Sequence, residues 1–195
     1  VNALTDEHHP CQALADVMTL EEARGSAATG AVVAYVGDGN NVCHSLAQAA
    51  GLAGFTLRVA SPRGFEPDGP IVERAREAAS ETGGAVELTD DPVAAVEGAD
   101  AVYTDVWTSM GQDAERERRL EAFAGFTVDR ALMARARPDA IFLHCLPAHR
   151  GEEVTGEIID GPRSRVWDQA ENRLHTELAL LYALLTGDLA GAALG

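Results

Sequence analysis

Residues 31–41 read AVVAYVGDGNN, and the fold turns on this stretch. Ala31–Val36 carries no polar side chain except the tyrosine hydroxyl and is rich in valine. A strand so composed is buried on both faces, as in a parallel sheet. Gly37 stops it. Asn41–Leu52 then places Val42, Leu46, Ala49 and Ala50 at helical spacing. Strand, glycine turn and helix together make the first half of a βαβ unit.

The same rhythm runs outward from there. Phe55–Ala60 reads as a second strand, stopped by Ser61-Pro62. Pro70 opens a helix through Glu81, and Gly83-Gly84 closes it. Ala85–Leu88, Ala101–Thr104 and Ile141–Leu143 supply three further strands. Pro92–Glu97 and Asp113–Phe123 read as helices between them. This alternation predicts an α/β fold with a doubly wound, Rossmann-like parallel sheet. Two helices stand outside the rhythm. His9–Arg24 precedes the first strand, and Glu171–Thr186, with its LALLYALL run, comes last. The final helix is more apolar than one sheet face requires, which predicts packing on a further domain or a neighbouring subunit.

Composition narrows the function. The 195 residues hold 31 acids and 15 bases, a formal net charge of −16, and every base is arginine. Without lysine there is no Schiff-base chemistry and no Gly-Lys-Ser/Thr phosphate loop. The acid excess excludes sequence-independent binding to nucleic acid or to an anionic membrane. High-salt adaptation and the codon bias of a GC-rich genome explain that excess equally well. Cys11, Cys43 and Cys145 are odd in number and form no Cys-x-x-Cys pair, which fits a reducing cytoplasm. No apolar run reaches the ~18 residues of a membrane span. The chain starts at Val1 and enters a helix almost at once, so it reads as a piece of something longer.

Ligands of open α/β sheets bind beyond the carboxyl ends of the strands. That rule selects Gly37–Asn41, Ser61–Phe65, Asp105–Gln112 and His144–Glu153. GDGNN has Val42 where a dinucleotide fingerprint has its third glycine, and the second strand ends without a ribose-holding acid. Arg63 nearby is the one feature in favour of a 2′-phosphate. Asn40 and Asn41 read either as turn residues or as ligand contacts. Asp105 follows a buried strand, where a carboxylate needs a cation from the chain or from a ligand. In HCLPAHRGEEV, Cys145 invites a Cys–His nucleophile reading. Adjacent strand residues point to opposite faces, however, so His144 is badly placed as its base, and His149 reaches it only if the loop folds back. The histidines and cysteines show no metal-ligand spacing.

Taken together, HPCQ (His9–Gln12), GDGNN, DVWTSMG (Asp105–Gly111), HCLPAHRGEEV (His144–Val154) and AENRLH (Ala170–His175) resemble the ornithine carbamoyltransferases in order and spacing. The resemblance runs from Asn2 to about Leu185. It implies carbamoyl transfer from carbamoyl phosphate to the δ-amine of L-ornithine, giving L-citrulline and phosphate in arginine biosynthesis, with no cofactor. It implies a cytoplasmic, trimer-based enzyme of two α/β domains, binding neither nucleic acid nor membrane. The family's phosphate-holding Ser-x-Arg-Thr-Arg segment is absent, so the chain corresponds to the carboxyl-terminal, ornithine-binding half and is expected to be inactive alone. Residues 1–26 would form an inter-domain helix region, 27–168 the ornithine-binding domain, and 169–195 a second inter-domain helix and tail.

Carried over residue by residue, His9 and Gln12 would contact the carbamoyl group, with Arg173 on its oxygen. Asn41, Asp105, Ser109 and Met110 would receive ornithine, Asp105 facing the α-ammonium. Cys145 and the backbone of Leu146 would line the reaction centre, and the Leu146–Pro147 bond is expected to be cis. Other readings are a transcarbamoylase for a related amine, a binding or assembly module, and an NADP-dependent oxidoreductase.

Overall fold

A computed structural model describes residues 2–108 and 116–188. The AVVAYV stretch forms β1 (Val32–Val36), and the helix after it, α2, spans Asn41–Ala53. The other strands are β2 (Thr56–Ala60), β3 (Ala85–Thr89), β4 (Ala101–Thr104) and β5 (Ile141–His144). All neighbours pair in parallel, in the order β3-β2-β1-β4-β5. The fold is the α/β parallel sheet expected from the sequence.

Strand side chains alternate between two cores, which is why the strands read as unbroken apolar runs. Val33, Tyr35, Leu57, Val59 and Tyr103 face Leu46, Ala47 and Ala50 of α2 and Val72 and Ala75 of α3 (Gly69–Thr82). Ala34, Val36, Val102 and Phe142 face the opposite core. There they meet α4 (Pro92–Val96), Phe123 just past α5 (Arg116–Ala122), α6 (Arg130–Met133) and α7 (Gly156–Ile159). α6 and α7 are four residues each, too short to show a helical period. The sequence reading missed both.

Helices α1 (Pro10–Arg24) and α8 (Val166–Thr186) pack against one another at the edge of the first core. α8 starts at Val166 rather than at Glu171. Its first turn mixes buried Val166 and Gln169 with exposed Trp167, which hid the period. The α1–α8 seam is polar as well as apolar. Asn172 Nδ2 donates to Thr19 Oγ1 at 3.0 Å and to Glu22 Oε2 at 2.7 Å. The outer face of α8 is bare: Leu174, Leu178, Leu181, Tyr182, Leu184 and Leu185 are at least half exposed.

The strand order reverses at β1, which has β2 on one side and β4 on the other. Parallel sheets open a ligand crevice at such a switch point, beyond the carboxyl ends of the strands. Gly39 lies on its rim. A Cβ there would fall 2.1 Å from Pro67 N, so the loop after β2 folds directly onto the GDGNN turn and only glycine fits.

Candidate active site

Side-chain hydrogen bonds bridge the two strand ends flanking the switch point: Thr104 Oγ1 donates to Val36 O at 2.6 Å, and Asn40 reaches Asp105. Asn40 closes the β1 turn and caps α2: its Oδ1 accepts from Val42 N at 3.0 Å and Cys43 N at 3.2 Å. With Oδ1 so committed, Nδ2 points across the crevice and donates to Asp105 Oδ2 at 2.7 Å. Asp105 Oδ1 accepts from Val106 N at 2.7 Å and from the Cys145 thiol at 2.9 Å. A carboxylate only 5% exposed is thereby held by three donors from three loops. None of the three is a cation.

Asn41, the expected ligand contact, donates instead to Thr5 O at 2.7 Å. The partner of Asp105 is its neighbour, Asn40. The Asn40 cap also speaks against a dinucleotide site, because the helix N-terminal amides a phosphate would need are already satisfied.

Cys145 is no nucleophile in this arrangement. Burial and the adjacent Asp105 both push its thiol well above the usual range, so it stays protonated and donates. The His144 ring is turned the other way, as strand alternation requires. Its Nδ1 accepts from Leu146 N at 2.9 Å, and its Nε2 pairs with the fully buried Glu153 at 3.2 Å. Leu146 thus spends its amide inward, and only its carbonyl is left to serve a ligand. The Leu146–Pro147 bond is cis, and Leu146 has φ 58°. At neutral pH we expect iodoacetamide to alkylate Cys145 in the folded chain at least about tenfold more slowly than a free thiol of pKa about 8.5. Mass spectrometry of peptides from a timed quench checks this, and equal rates would show a thiolate at Cys145.

The opposite wall comes from α1 and α8. His9 caps α1, its amide donating to Ser45 Oγ at 2.7 Å. Its Nδ1 pairs with Ala3 O at 3.0 Å, so the neutral ring carries its lone pair on Nε2. Burial, then the charge of Arg173, lower its pKa against the opposing pull of Ala3 O, Asp105 and Glu177. His9 therefore presents an acceptor at neutral pH, not the donor that an oxygen contact would require. Arg173 projects from α8, its Nη2 at 2.9 Å from Glu177 Oε1 and its Nη1 at 3.4 Å from Gln12 Oε1. Gln12 is 1% exposed, and its Nε2 donates to Asp16 Oδ1 at 2.8 Å. It braces Arg173 from behind and has no surface to offer a carbamoyl group.

Among the described residues, two groups of side chains have metal-ligand proximity that the sequence spacing did not show. Asp105, His144 and Cys145 bring one ligand atom each within 4.8 Å of one another, as do His149, Glu152 and Glu153. In the first, both ring nitrogens of His144 are committed and the thiol is protonated. In the second, Glu152 is paired with Arg116. Ser109 and Met110 lie outside the described residues.

The chain and its fold match a known domain. Residues 29–184 match the model of the aspartate/ornithine carbamoyltransferase Asp/Orn-binding domain. The chain belongs to that family. Among curated relatives, the ornithine carbamoyltransferase of Acidothermus cellulolyticus is 58% identical over 98% of this chain and 60% of its own length. The solved ornithine carbamoyltransferase of Pyrococcus furiosus superposes with a TM-score of 0.90 at 55% identity, over 96% of this chain and 59% of that one. The anabolic ornithine carbamoyltransferase of Campylobacter jejuni gives a TM-score of 0.90 at 39% identity. The chain thus spans about three-fifths of the relatives it matches.

Asp105, Asn40 and Cys145 are thus hydrogen-bonded together at the carboxyl ends of the strands, and the charges of Arg173 and Asp105 both act on His9. Glu153, Glu177 and Asp16 are the neighbouring residues that sequence reasoning did not single out, whereas Asn40 was read there as a turn residue or a ligand contact. Asp16 left a trace: a charged residue one turn from Gln12 and one from Leu20, inside a buried stripe.

Proposed function

We propose that this chain is the ornithine-binding part of an ornithine carbamoyltransferase, moving a carbamoyl group from carbamoyl phosphate to the δ-amine of L-ornithine. The observation that supports it best is the buried Asp105 carboxylate at the switch point, held by three neutral donors and facing no cation of the described chain. An α-ammonium supplies the missing charge.

With ornithine anchored there, its uncharged δ-amine reaches the carbamoyl carbon. The new C–N bond forms, the C–O bond to phosphate breaks, and the proton that the amine gives up leaves with the phosphate. Arg173 donates to the oxygen that becomes negative in the tetrahedral intermediate. His9 Nε2, an acceptor, holds the carbamoyl NH2, while Gln12 and Glu177 orient Arg173 without touching substrate. Cys145 keeps Asp105 in place. Phosphate departs toward groups that this chain does not supply, which is why the resemblance implies a second half. The bare face of α8, and the groove of about 690 Å³ between α1, α2 and α8, are where that half docks in this reading.

In this reading residues 1–26 are the inter-domain helix region, with α1 as its helix, 27–168 the ornithine domain, and 169–195 the second inter-domain helix, α8, and a tail. Cytoplasmic arginine biosynthesis in a trimer-based assembly is the setting that fits. Citrulline assay tests the proposal. The chain alone is expected to form none, and addition of a separately produced carbamoyl-phosphate-binding half is expected to restore turnover. Full turnover by the chain alone, or none with the partner half present, would sink it.

A further inference from the structure

Asp16 lies in α1 beneath the site, 2% exposed. One oxygen of its carboxyl ties three elements together. Oδ1 accepts from Gln12 Nε2 at 2.8 Å on its own helix, from Gln169 Nε2 at 2.6 Å on α8 and from the Tyr103 hydroxyl at 3.2 Å on β4. Each donor leads on to the site. Gln12 Oε1 takes a bond from Arg173. Gln169 Oε1 takes the backbone amide of His144, the residue before Cys145, at 2.9 Å. Tyr103 lies on β4, two residues before Asp105, which directly follows that strand. Asp16 Oδ2 is buried and has no hydrogen-bond partner among the described residues.

Stability alone does not explain a carboxyl here. Its desolvation is offset only in part by three neutral donors, and a well-packed apolar group with apolar partners is commonly as stable or more so. What the carboxyl supplies is geometry. We propose that Asp16 is a positioning residue: it fixes α1, α8 and the ends of β4 and β5 in one register, so that His9, Arg173, Asp105 and Cys145 face the same substrate. The proposal rests on the carbamoyltransferase reading above and deepens it, since Asp16 touches no substrate itself.

Burial raises Asp16 to about 7, against the pull of Gln12, Gln169 and Tyr103 and with a further push from Asp105. The groups facing it are Gln12 from its own helix, Tyr103 and Asp105 from the β4 side, Cys145 from beyond β5 and Gln169 from α8, with Arg173 reached through Gln12. Below that value native Asp16 is neutral and resembles asparagine; above it the charge tightens all three bonds.

The test uses the two-domain enzyme that contains this chain. Asp16→Leu leaves three donors unpaired, and kcat is expected to fall about thirtyfold while the KM for ornithine stays within about threefold, because donors are misplaced rather than lost. Asp16→Asn keeps an acceptor and should recover most of that loss. The ratio of wild-type to Asp16→Asn kcat is expected near one at about pH 6 and several-fold at about pH 8, the titrations of His9 and of the substrate amine cancelling between the two enzymes. A folded leucine variant with wild-type kcat overturns the proposal, as does a ratio that does not change with pH. If the leucine variant does not fold, the asparagine ratio decides alone. If the wild-type enzyme makes no citrulline, the reaction reading fails by itself, and the register is then read by NMR. The His144 amide and the Gln12 and Gln169 side-chain signals should move together near neutral pH in wild type and stay flat in Asp16→Asn. Signals that do not move together overturn it.

Discussion

Replacing Arg173 by alanine in the two-domain enzyme is expected to lower kcat/KM about a thousandfold, the scale of losing one oxyanion donor from a preorganised site. The guanidinium is held before any substrate arrives, by Glu177 along its own helix and by Gln12 from α1. In the proposed reaction a donor so placed needs little reorganisation when the oxygen becomes charged. The loss should fall on kcat, with ornithine KM changed little, because the oxygen gains charge only in the transition state. Lysine should restore little. An ammonium is a point charge and cannot fork between Glu177, Gln12 and the substrate oxygen. A second readout is independent of turnover. Arg173 helps to hold the His9 pKa down, so removing it should raise the imidazole pKa in an NMR titration. A loss below about tenfold, with His9 unmoved, would place Arg173 outside the reaction.

The strands were legible because burial on both faces leaves a signature that needs no partner to be recognised. β4, Ala101–Thr104, matches the sequence reading to the residue, and β1 differs by one. The start of α8 was not legible, whereas α1, also without a side-chain cap bond, has Pro10 to mark its first turn. Arg165 precedes α8 with no side-chain cap bond, and nothing in VWDQ announces a first turn. The site divides along the same line. Asp105, Cys145 and His9 each stand at a strand end or a helix end, where the sequence makes them conspicuous, and Arg173 lies inside α8. Their supports are pairings across distance. Gln169 meets Asp16 and Asn172 meets Thr19 across 153 positions. A single sequence records the partners but not the pairing. The choice between Asn40 and Asn41 shows how fine the limit is. Both are amides at the mouth of α2, and only the capping geometry assigns one to Asp105 and the other to Thr5.

In the two-domain enzyme, Asp105→Asn is expected to weaken ornithine binding by a factor of about 10² to several times 10³ and carbamoyl phosphate binding by less than about threefold. Removing one partner of a desolvated ion pair costs about 3–5 kcal/mol, and each 1.4 kcal/mol is tenfold in affinity. The substitution also meets a local obstacle. All three groups bonded to Asp105 are donors: Asn40 Nδ2 on one oxygen, Val106 N and the Cys145 thiol on the other. An asparagine must turn its own NH2 toward one side and so set donor against donor. Asn40 cannot flip to relieve this, since its oxygen caps Val42 and Cys43. The buried mismatch costs about 1–3 kcal/mol of stability, a fall in melting temperature of about 2–4 °C for each kcal/mol in a chain of this size. The two effects separate experimentally. Calorimetry at a temperature well below the melting point reads the affinities of the folded protein, and a thermal melt reads the mismatch. Comparable losses for both ligands would mean that Asp105 shapes the crevice as a whole. A loss confined to ornithine identifies its carboxylate as the counter-charge that the described chain leaves unfilled.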